Sequence, residues 1–289
     1  MLPPPHPLPL TPYHSTMPEL PEVETIVRDL QHVVGRTIRS AELSHPDILR
    51  RVTRPKLLKD LPGRRIDSLT RRAKHAIFHL GDRRLVVQPG MTGSLLVYDR
   101  ALTPAEAKYA VLRAGLDDGR LLVYRDVRRI GKLLWLDAKG WDKYDGALGP
   151  EPLEGGWSAE HFAGRLARSR QAVKKVLMDQ KHVVGIGNIY ANEALFAAGV
   201  DPSKPGVKVG AAAAERIRTH SRRILTAAIA SQGTTFRDYR TGTGERGNFQ
   251  LELFVYGREG EPCKVCGTRL TGTHDIDGRA TVFCHKCQK

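Results

Sequence analysis

Four cysteines have the spacing of a metal site. Cys263 and Cys266 form one C-x2-C pair, Cys284 and Cys287 form a second, and the pairs enclose residues 267–283. Each pair can bite one ion from a tight turn, and the stretch between them lets the two knuckles meet in a tetrahedral thiolate site. Four protein ligands leave no open position, so the site reads as one structural zinc ion. All four cysteines follow residue 262, which makes a local finger and not a disulfide framework. His274 and His285 lie in the same stretch, but four thiolates already complete the metal, so both read as solvated or neighbouring groups. Arg279, between the pairs, could present its guanidinium fork to a phosphate; by composition alone a solvated arginine is the plainer reading.

A second unusual segment is Met17-Pro18-Glu19-Leu20-Pro21-Glu22-Val23-Glu24-Thr25. Structurally it is a helix start, with proline early and acids in the first turn. The whole chain is strongly basic: 46 Lys and Arg against 31 Asp and Glu give a net charge of +15. The excess recurs along the body, as in Arg71-Arg72 with Lys74, Arg125 with Arg128-Arg129, and Lys174-Lys175. A polyanionic partner follows, because each neutralised phosphate releases condensed counterions. Charge of this kind names no reaction.

Several elements must position these residues. Residues 1–16 hold six prolines and neither Lys nor Arg, which reads as a disordered leader and not a secretory signal. From Glu19 onward, Val23, Ile26, Val27, Leu30 and Val34 make one stripe of an amphipathic helix that Gly35 can stop. Short apolar runs follow at 76–80, 85–87, 95–98, 111–116, 121–124 and 133–136, with Asp118-Gly119 as a hairpin signal. No crossover helix separates most of them, so an antiparallel sandwich or barrel is expected. Residues 148–157 are rich in Gly and Pro and read as a linker. Helices are expected near 158–168, 171–179, 188–198 and 211–231, a mobile Gly/Thr/Arg-rich segment over 233–248, and two strand-like pieces around the cysteines. The expected class is α+β and multidomain: a leader (1–16), an antiparallel β-sandwich domain with flanking helices (17–147), the linker, a helical domain (158–248) and the finger (249–289).

The segment Met17–Thr25 resembles the start of the formamidopyrimidine-DNA glycosylase family. Further matches are Arg71-Arg72-Ala73-Lys74, Gly90-Met91-Thr92-Gly93-Ser94-Leu95, Arg125-Asp126-Val127-Arg128-Arg129, Leu148-Gly149-Pro150-Glu151-Pro152-Leu153, the block from Val184 to Ala191, and the finger. Their order makes the resemblance far more specific than any one motif. Gly185-x-Gly187 alone lacks the third glycine of a dinucleotide fingerprint. The resemblance implies a bifunctional base-excision repair enzyme: a glycosylase for oxidised purines and a lyase at abasic sites, with a helix-two-turn-helix domain. It implies Pro18 as an amine nucleophile that forms a Schiff base, and Glu19 as general acid/base. Lys74 matches the lysine linked to β-elimination, and Arg279 the finger arginine linked to δ-elimination. Met91, Arg128 and Ile130 occupy the positions that fill the gap left by a flipped base. Lys174 and Asn188 match DNA-contacting residues, and Tyr109 stands near a further contact position.

The chain departs from the family pattern in places. Ile130 stands where an intercalating Phe is usual, Val127 replaces a proline, Gln88-Pro89 replaces His-Leu, and 109–111 lack the usual histidine. A peptide bond before Pro18 would turn the nucleophile into a tertiary amide. Translation from Met17, removal of that Met and a mature chain starting at Pro18 are therefore expected. Damaged double-stranded DNA is the expected partner, the cytoplasm at the nucleoid the compartment, and a monomer the state, with no membrane association. The competing readings are a non-catalytic damaged-DNA binder with a blocked amino end, a glycosylase preferring oxidised pyrimidines, and a generic zinc-finger nucleic-acid binder, RNA included.

Overall fold

In the computed structural model, which describes residues 17–234 and 248–289, the apolar stripe forms α1 (Leu20–Asp29), continued by a 3-10 turn over Leu30–Val33. Gly35, at φ +87°, ends it with a bond to the Ile66 carbonyl. The expected leader and most of the expected mobile segment, 235–247, lie outside the described residues.

The next elements are β1 (Ile38–Leu43), β2 (Leu49–Arg50), α2 (Arg54–Asp60), β3 (Ser68–Arg72), β4 (His75–Leu80), β5 (Arg83–Gln88), β6 (Gly93–Tyr98), α3 (Pro104–Ala107), β7 (Ala110–Leu116), β8 (Leu121–Asp126), β9 (Lys132–Asp137) and α4 (Ala138–Asp145). They make two sheets, ordered β1-β7-β8-β6 and β2-β9-β5-β4-β3. Every pairing is antiparallel except the short β2–β9 contact. The sheets share one core, in which Leu69, Phe78 and Val87 join Leu112, Leu122 and Tyr124, with Val23 and Ile26 of α1. The second sheet is covered on its other face too, where Ile77, Val86, Leu134 and Leu136 meet Trp141 and Tyr144 of α4. Burial on both faces is why 133–136 reads as an unbroken apolar run and 76–80 as one interrupted only by the half-buried His79. Asp118-Gly119 turns β7 into β8, with Gly119 at φ +85°.

The helical domain contains α5 (Ala159–Leu166), α6 (Val173–Met178), α7 (Asn188–Ala197) and α8 (Ala211–Ala230), close to the expected spans. Its core gathers Trp157, Phe162, Leu177, Ile189, Leu195, Ile217 and Leu225. The finger adds β10 (Thr271–Thr273) paired with β11 (Thr281–Phe283). Among the described residues no helix is long and apolar enough to cross a membrane.

Two features join the domains. Leu20, the first residue of α1, packs in the helical core, whereas Val23 and Ile26 pack in the sandwich core. The helix therefore crosses the junction and places Glu19 there. The stretch 148–157, expected as a linker, is a packed strap: the Gly149 amide donates to the Gln180 carbonyl and the Val184 amide to the Pro150 carbonyl. Backbone atoms of Lys181 and His182 lie 2.9 Å from where a Cβ of residue 149 would stand, so the glycine there serves close packing and not flexibility.

Candidate active site

A cleft of about 450 Å³ opens at this junction, lined by Glu19, Lys74, Met91, Asn188, Tyr256 and Arg279 among others. Glu19 is 2 % exposed. Its carboxyl accepts from the amides of Gly187 (2.5 Å) and Ile189 (2.9 Å), while its own amide donates to Glu22 Oε2 at 2.9 Å. These amides lie at the start of α7, where unpaired N–H groups favour an acceptor. Burial pushes the Glu19 carboxyl up from 4.5 to about 7, against the pull of the Lys74 ammonium. A carboxyl that titrates near neutrality can both give and take a proton at working pH. Lys74 is held below the usual lysine range by burial, opposed by Glu19.

Lys74 owes its place to an ionic clamp. Ala73 sits at φ +55° in the turn between β3 and β4, and its amide donates to Glu151 Oε1 at 2.6 Å. Arg71 and Arg72 also reach Glu151, at 2.8 and 3.1 Å, Arg71 bonds Glu24, and Arg72 bonds Asp145. The strap carboxylate thus fixes the turn that aims Lys74 into the cleft. Beneath Glu19, Glu22 accepts from Tyr190 Oη (2.5 Å) and from the Thr234 amide (2.8 Å), which ties the site to the last residue before segment 235–247.

The finger supplies the opposite wall. The four sulfurs lie within 4.8 Å of one another, with Cys263 and Cys287 4.0 Å apart and Cys266 and Cys284 3.5 Å apart. Ligands about 2.3 Å from a tetrahedral centre have edges near 3.8 Å, so the four thiols could bind a metal ion. Asn188 Nδ2 donates to the Ala280 carbonyl at 3.0 Å, and the Val282 amide donates to Asn192 Oδ1 at 2.8 Å; both bonds tie α7 to the finger. Arg279 is exposed and bonds Asp277 at 3.1 Å. Lys174 departs from expectation. Its side chain is 0 % exposed and its ammonium donates to Thr281 Oγ1 (2.8 Å) and meets Asp277 (3.4 Å). In this arrangement it braces the finger against α6.

The remaining expected residues cluster on two loops of the sandwich. Met91 lines the cleft and accepts from Arg128 Nη1 at 3.8 Å. Val127 and Ile130 are exposed, and Arg129 sits at φ +53°. Tyr109, beside these loops, accepts from the Asp126 amide through its carbonyl and carries Lys108 over its ring. A second cavity, of about 480 Å³, lies among Phe196, Ile224, Phe249 and Phe254, and of the motif residues only Cys287 borders it.

Sequence reasoning gave no role to Glu22, Glu151, Asp126 or Tyr256. The first three are acids, which a sequence places by default on the surface, yet each is enclosed here. The signal available was their position inside the matching motifs.

The family model described as the formamidopyrimidine-DNA glycosylase N-terminal domain matches residues 17–133, and that of the formamidopyrimidine-DNA glycosylase H2TH domain matches 148–240. The formamidopyrimidine-DNA glycosylase of Stutzerimonas stutzeri is 44 % identical over 279 residues, covering 94 % of this chain and 100 % of the relative. That of Laribacter hongkongensis is 41 % identical over 276 residues with the same coverage. A Lactococcus lactis Fpg mutant solved with Fapy-dG-containing DNA superposes with a TM-score of 0.86 at 33 % identity, covering 94 % of this chain and all of that one. The Thermus thermophilus MutM (Fpg) protein gives 0.83 at 36 % identity over 94 % of this chain and 98 % of its own. With two domains matched in order and relatives aligned over their full length, the chain belongs to the formamidopyrimidine-DNA glycosylase family.

Proposed function

We propose that this chain is a base-excision repair glycosylase and abasic-site lyase that removes oxidised purines, formamidopyrimidines and 8-oxoguanine, from double-stranded DNA. The observation that carries the reading is the Glu19 carboxyl, enclosed beside Pro18 and Lys74 and held near neutrality. The Lactococcus lactis relatives were solved with Fapy-dG-containing and abasic-site-containing DNA, which supports the same substrate class here. A net charge of +15 suits that partner.

The nucleophile is the nitrogen of Pro18 once it is the first residue. Preceded by Met17, it is a tertiary amide with no available lone pair. The family match begins at residue 17, and the relatives cover 94 % of this chain with the whole of their own length; this supports a mature chain that starts at Pro18. A free α-amino group titrates near ~8, so a useful fraction is neutral. Its lone pair bonds C1′ as the glycosidic C1′–N bond breaks, and the ammonium proton leaves with the base. Glu19 gives its proton to O4′ as the sugar ring opens, leaving an iminium between Pro18 and C1′. The iminium acidifies the C2′ proton. Removal of that proton expels the 3′ phosphate, and a second elimination expels the 5′ phosphate. Lys74 neutralises phosphate at the first step and Arg279 at the second.

Met91, Arg128 and Ile130 fill the space left by the extruded nucleotide. Asn188, at the N-terminus of α7, marks the phosphate side of the cleft, and Tyr109 borders the duplex. Lys174 acts through the finger it braces. The metal is zinc, one ion per chain on Cys263, Cys266, Cys284 and Cys287, and what it supplies is the folding energy of the finger. The enzyme works as a monomer in the cytoplasm, at the nucleoid.

The test is incubation of the chain beginning at Pro18 with a duplex carrying 8-oxoguanine opposite cytosine. The expected products are the free base and a strand gap flanked by phosphates on both sides. An uncut duplex that is nevertheless bound tightly overturns the enzymatic reading in favour of a damage-binding protein.

A further inference from the structure

The two loops that would enter the DNA are built as one body, and a single enclosed carboxylate joins them. Asp126 ends β8 and is 1 % exposed. Its Oδ1 accepts from Thr92 Oγ1 at 2.6 Å. Its Oδ2 accepts from the Gly131 amide at 2.8 Å and from Tyr124 Oη at 3.0 Å. Thr92 follows the half-buried Met91, and Gly131 follows the exposed Ile130, so one carboxylate holds the residue next to each tip. The Thr92 hydroxyl also accepts from the Arg128 amide at 2.9 Å. The chain Arg128 amide, Thr92 hydroxyl, Asp126 carboxylate therefore spans both loops.

Packing reinforces the joint. A Cβ at Gly90 would lie 2.6 Å from the Gly131 amide nitrogen, and one at Gly131 would lie 1.9 Å from Tyr124 Oη. The loop backbones approach closely at these glycines, and the Asp126 carboxylate lies where they meet, 3.0 and 2.9 Å from the two Cβ positions. A carboxylate with three donors in an enclosed site is strongly localised, because its alternatives are buried unpaired groups.

We infer that Asp126, with Thr92 as its relay, is a positioning residue that makes Met91, Arg128 and Ile130 advance into the duplex as one unit, and so governs base extrusion and discrimination of the opposite base. This rests on the glycosylase reading above. Ile130 stacks less well on a base than an aromatic ring would, so rigid mounting of the wedge matters more in this chain than in one with an aromatic wedge.

The discriminating substrates are a duplex with 8-oxoguanine opposite cytosine or adenine, and one with a preformed abasic site, which needs no base to be extruded. Two variants are compared with the wild-type chain beginning at Pro18: Asp126→Asn, and Thr92→Val, which leaves the Tyr124 and Gly131 bonds in place. A misplacement of about 1 Å costs on the order of 100-fold in rate, so excision of 8-oxoguanine should fall at least ~10-fold in both variants. The preference for cytosine over adenine should fall with it, while abasic-site cleavage stays within about threefold. A 2-aminopurine beside the lesion should show slowed extrusion. Excision and abasic cleavage falling in parallel would overturn the inference, since that marks a general structural loss; so would excision unchanged in Thr92→Val. A wild-type chain that cleaves neither substrate overturns the glycosylase reading itself, and this inference with it.

Discussion

Gly187→Ala tests the cleft at its tightest point. Gly187 has φ −130°, a conformation alanine adopts freely, so the substitution strains no backbone. Its added Cβ would instead stand 2.5 Å from Glu19 Cδ, 2.5 Å from Lys74 Nζ and 2.6 Å from Glu19 Oε1. Ordinary carbon contacts are ~3.5–4.0 Å, so the carboxyl and the ammonium must retreat by about 1 Å. The retreat also stretches the Gly187 amide bond to Glu19, 2.5 Å long at present. Misplacing a proton donor by about 1 Å costs on the order of 100-fold, equivalent to roughly 2.7 kcal/mol of barrier. Overpacking costs about 1–3 kcal/mol of stability, which a chain of this size tolerates at assay temperature. Single-turnover excision of 8-oxoguanine measures the effect, with the melting temperature followed alongside. Gly185→Ala is the contrast. Residue 185 is at φ +83° and its Cβ would strike the Leu20 side chain at 2.6 Å, so that variant should lose mainly stability. Gly187→Ala within about threefold of the wild-type rate would refute the claim that the Glu19–Lys74 geometry is set by this close approach.

Other expectations follow from the same geometry. Glu19 has its folded pKa raised from 4.5 to about 7 by burial, so its favourable contribution is complete below 4.5 and lost as pH rises through about 7. Glu19→Gln, uncharged throughout, should therefore gain stability relative to wild type as pH rises from ~4.5 to ~7, by up to roughly 3 kcal/mol, and keep that gain above pH ~7, while excision collapses; a pH-independent difference would contradict the assignment. Cys266→Ser should lose the metal and cut excision by more than about 100-fold, because finger folding energy of ~10–16 kcal/mol comes from the ion. Elemental analysis should find one zinc in the wild type and none in the variant, and full activity without metal would count against the structural role. Glu151→Ala leaves Arg71, whose side chain is 8 % exposed, short of a carboxylate and should cost about 3–5 kcal/mol. Thermal unfolding should register this as a drop on the order of 10 °C.

What was legible in the sequence was whatever is local along the chain. The cysteine pairs and the Met17–Thr25 motif are local signals; the motif lines the cleft through Glu19, and the cysteines frame the finger whose residues 278–280 line it. The six apolar runs became the strands with buried faces, because burial writes itself as hydrophobic pattern. β1, β2 and β3 left no such signal. All three are sheet edges whose outer positions carry polar and charged residues, as in Ser68-Leu69-Thr70-Arg71-Arg72, whereas β6, also an edge, keeps the apolar run 95–98. The strap at 148–157 misled because glycine and proline mark both flexible links and close-packed turns. Glu22 and Glu151 were invisible as buried groups because their partners lie far away in sequence; Glu22 meets Tyr190 and Thr234, and Glu151 meets Arg71 and Ala73. Lys174 was legible as a cation and not as an enclosed brace, since only the fold puts Asp277 and Thr281 beside it.

The central claim is that the nitrogen of Pro18, freed of residues 1–17, is the group that bonds C1′. Borohydride reduction during reaction with abasic-site duplex freezes the iminium as a stable amine, and peptide mapping locates it. The account predicts one adduct on the peptide that begins with Pro18, and none when Met17 is retained. An adduct on Lys74 or another lysine, or an undiminished adduct with Met17 in place, would contradict it.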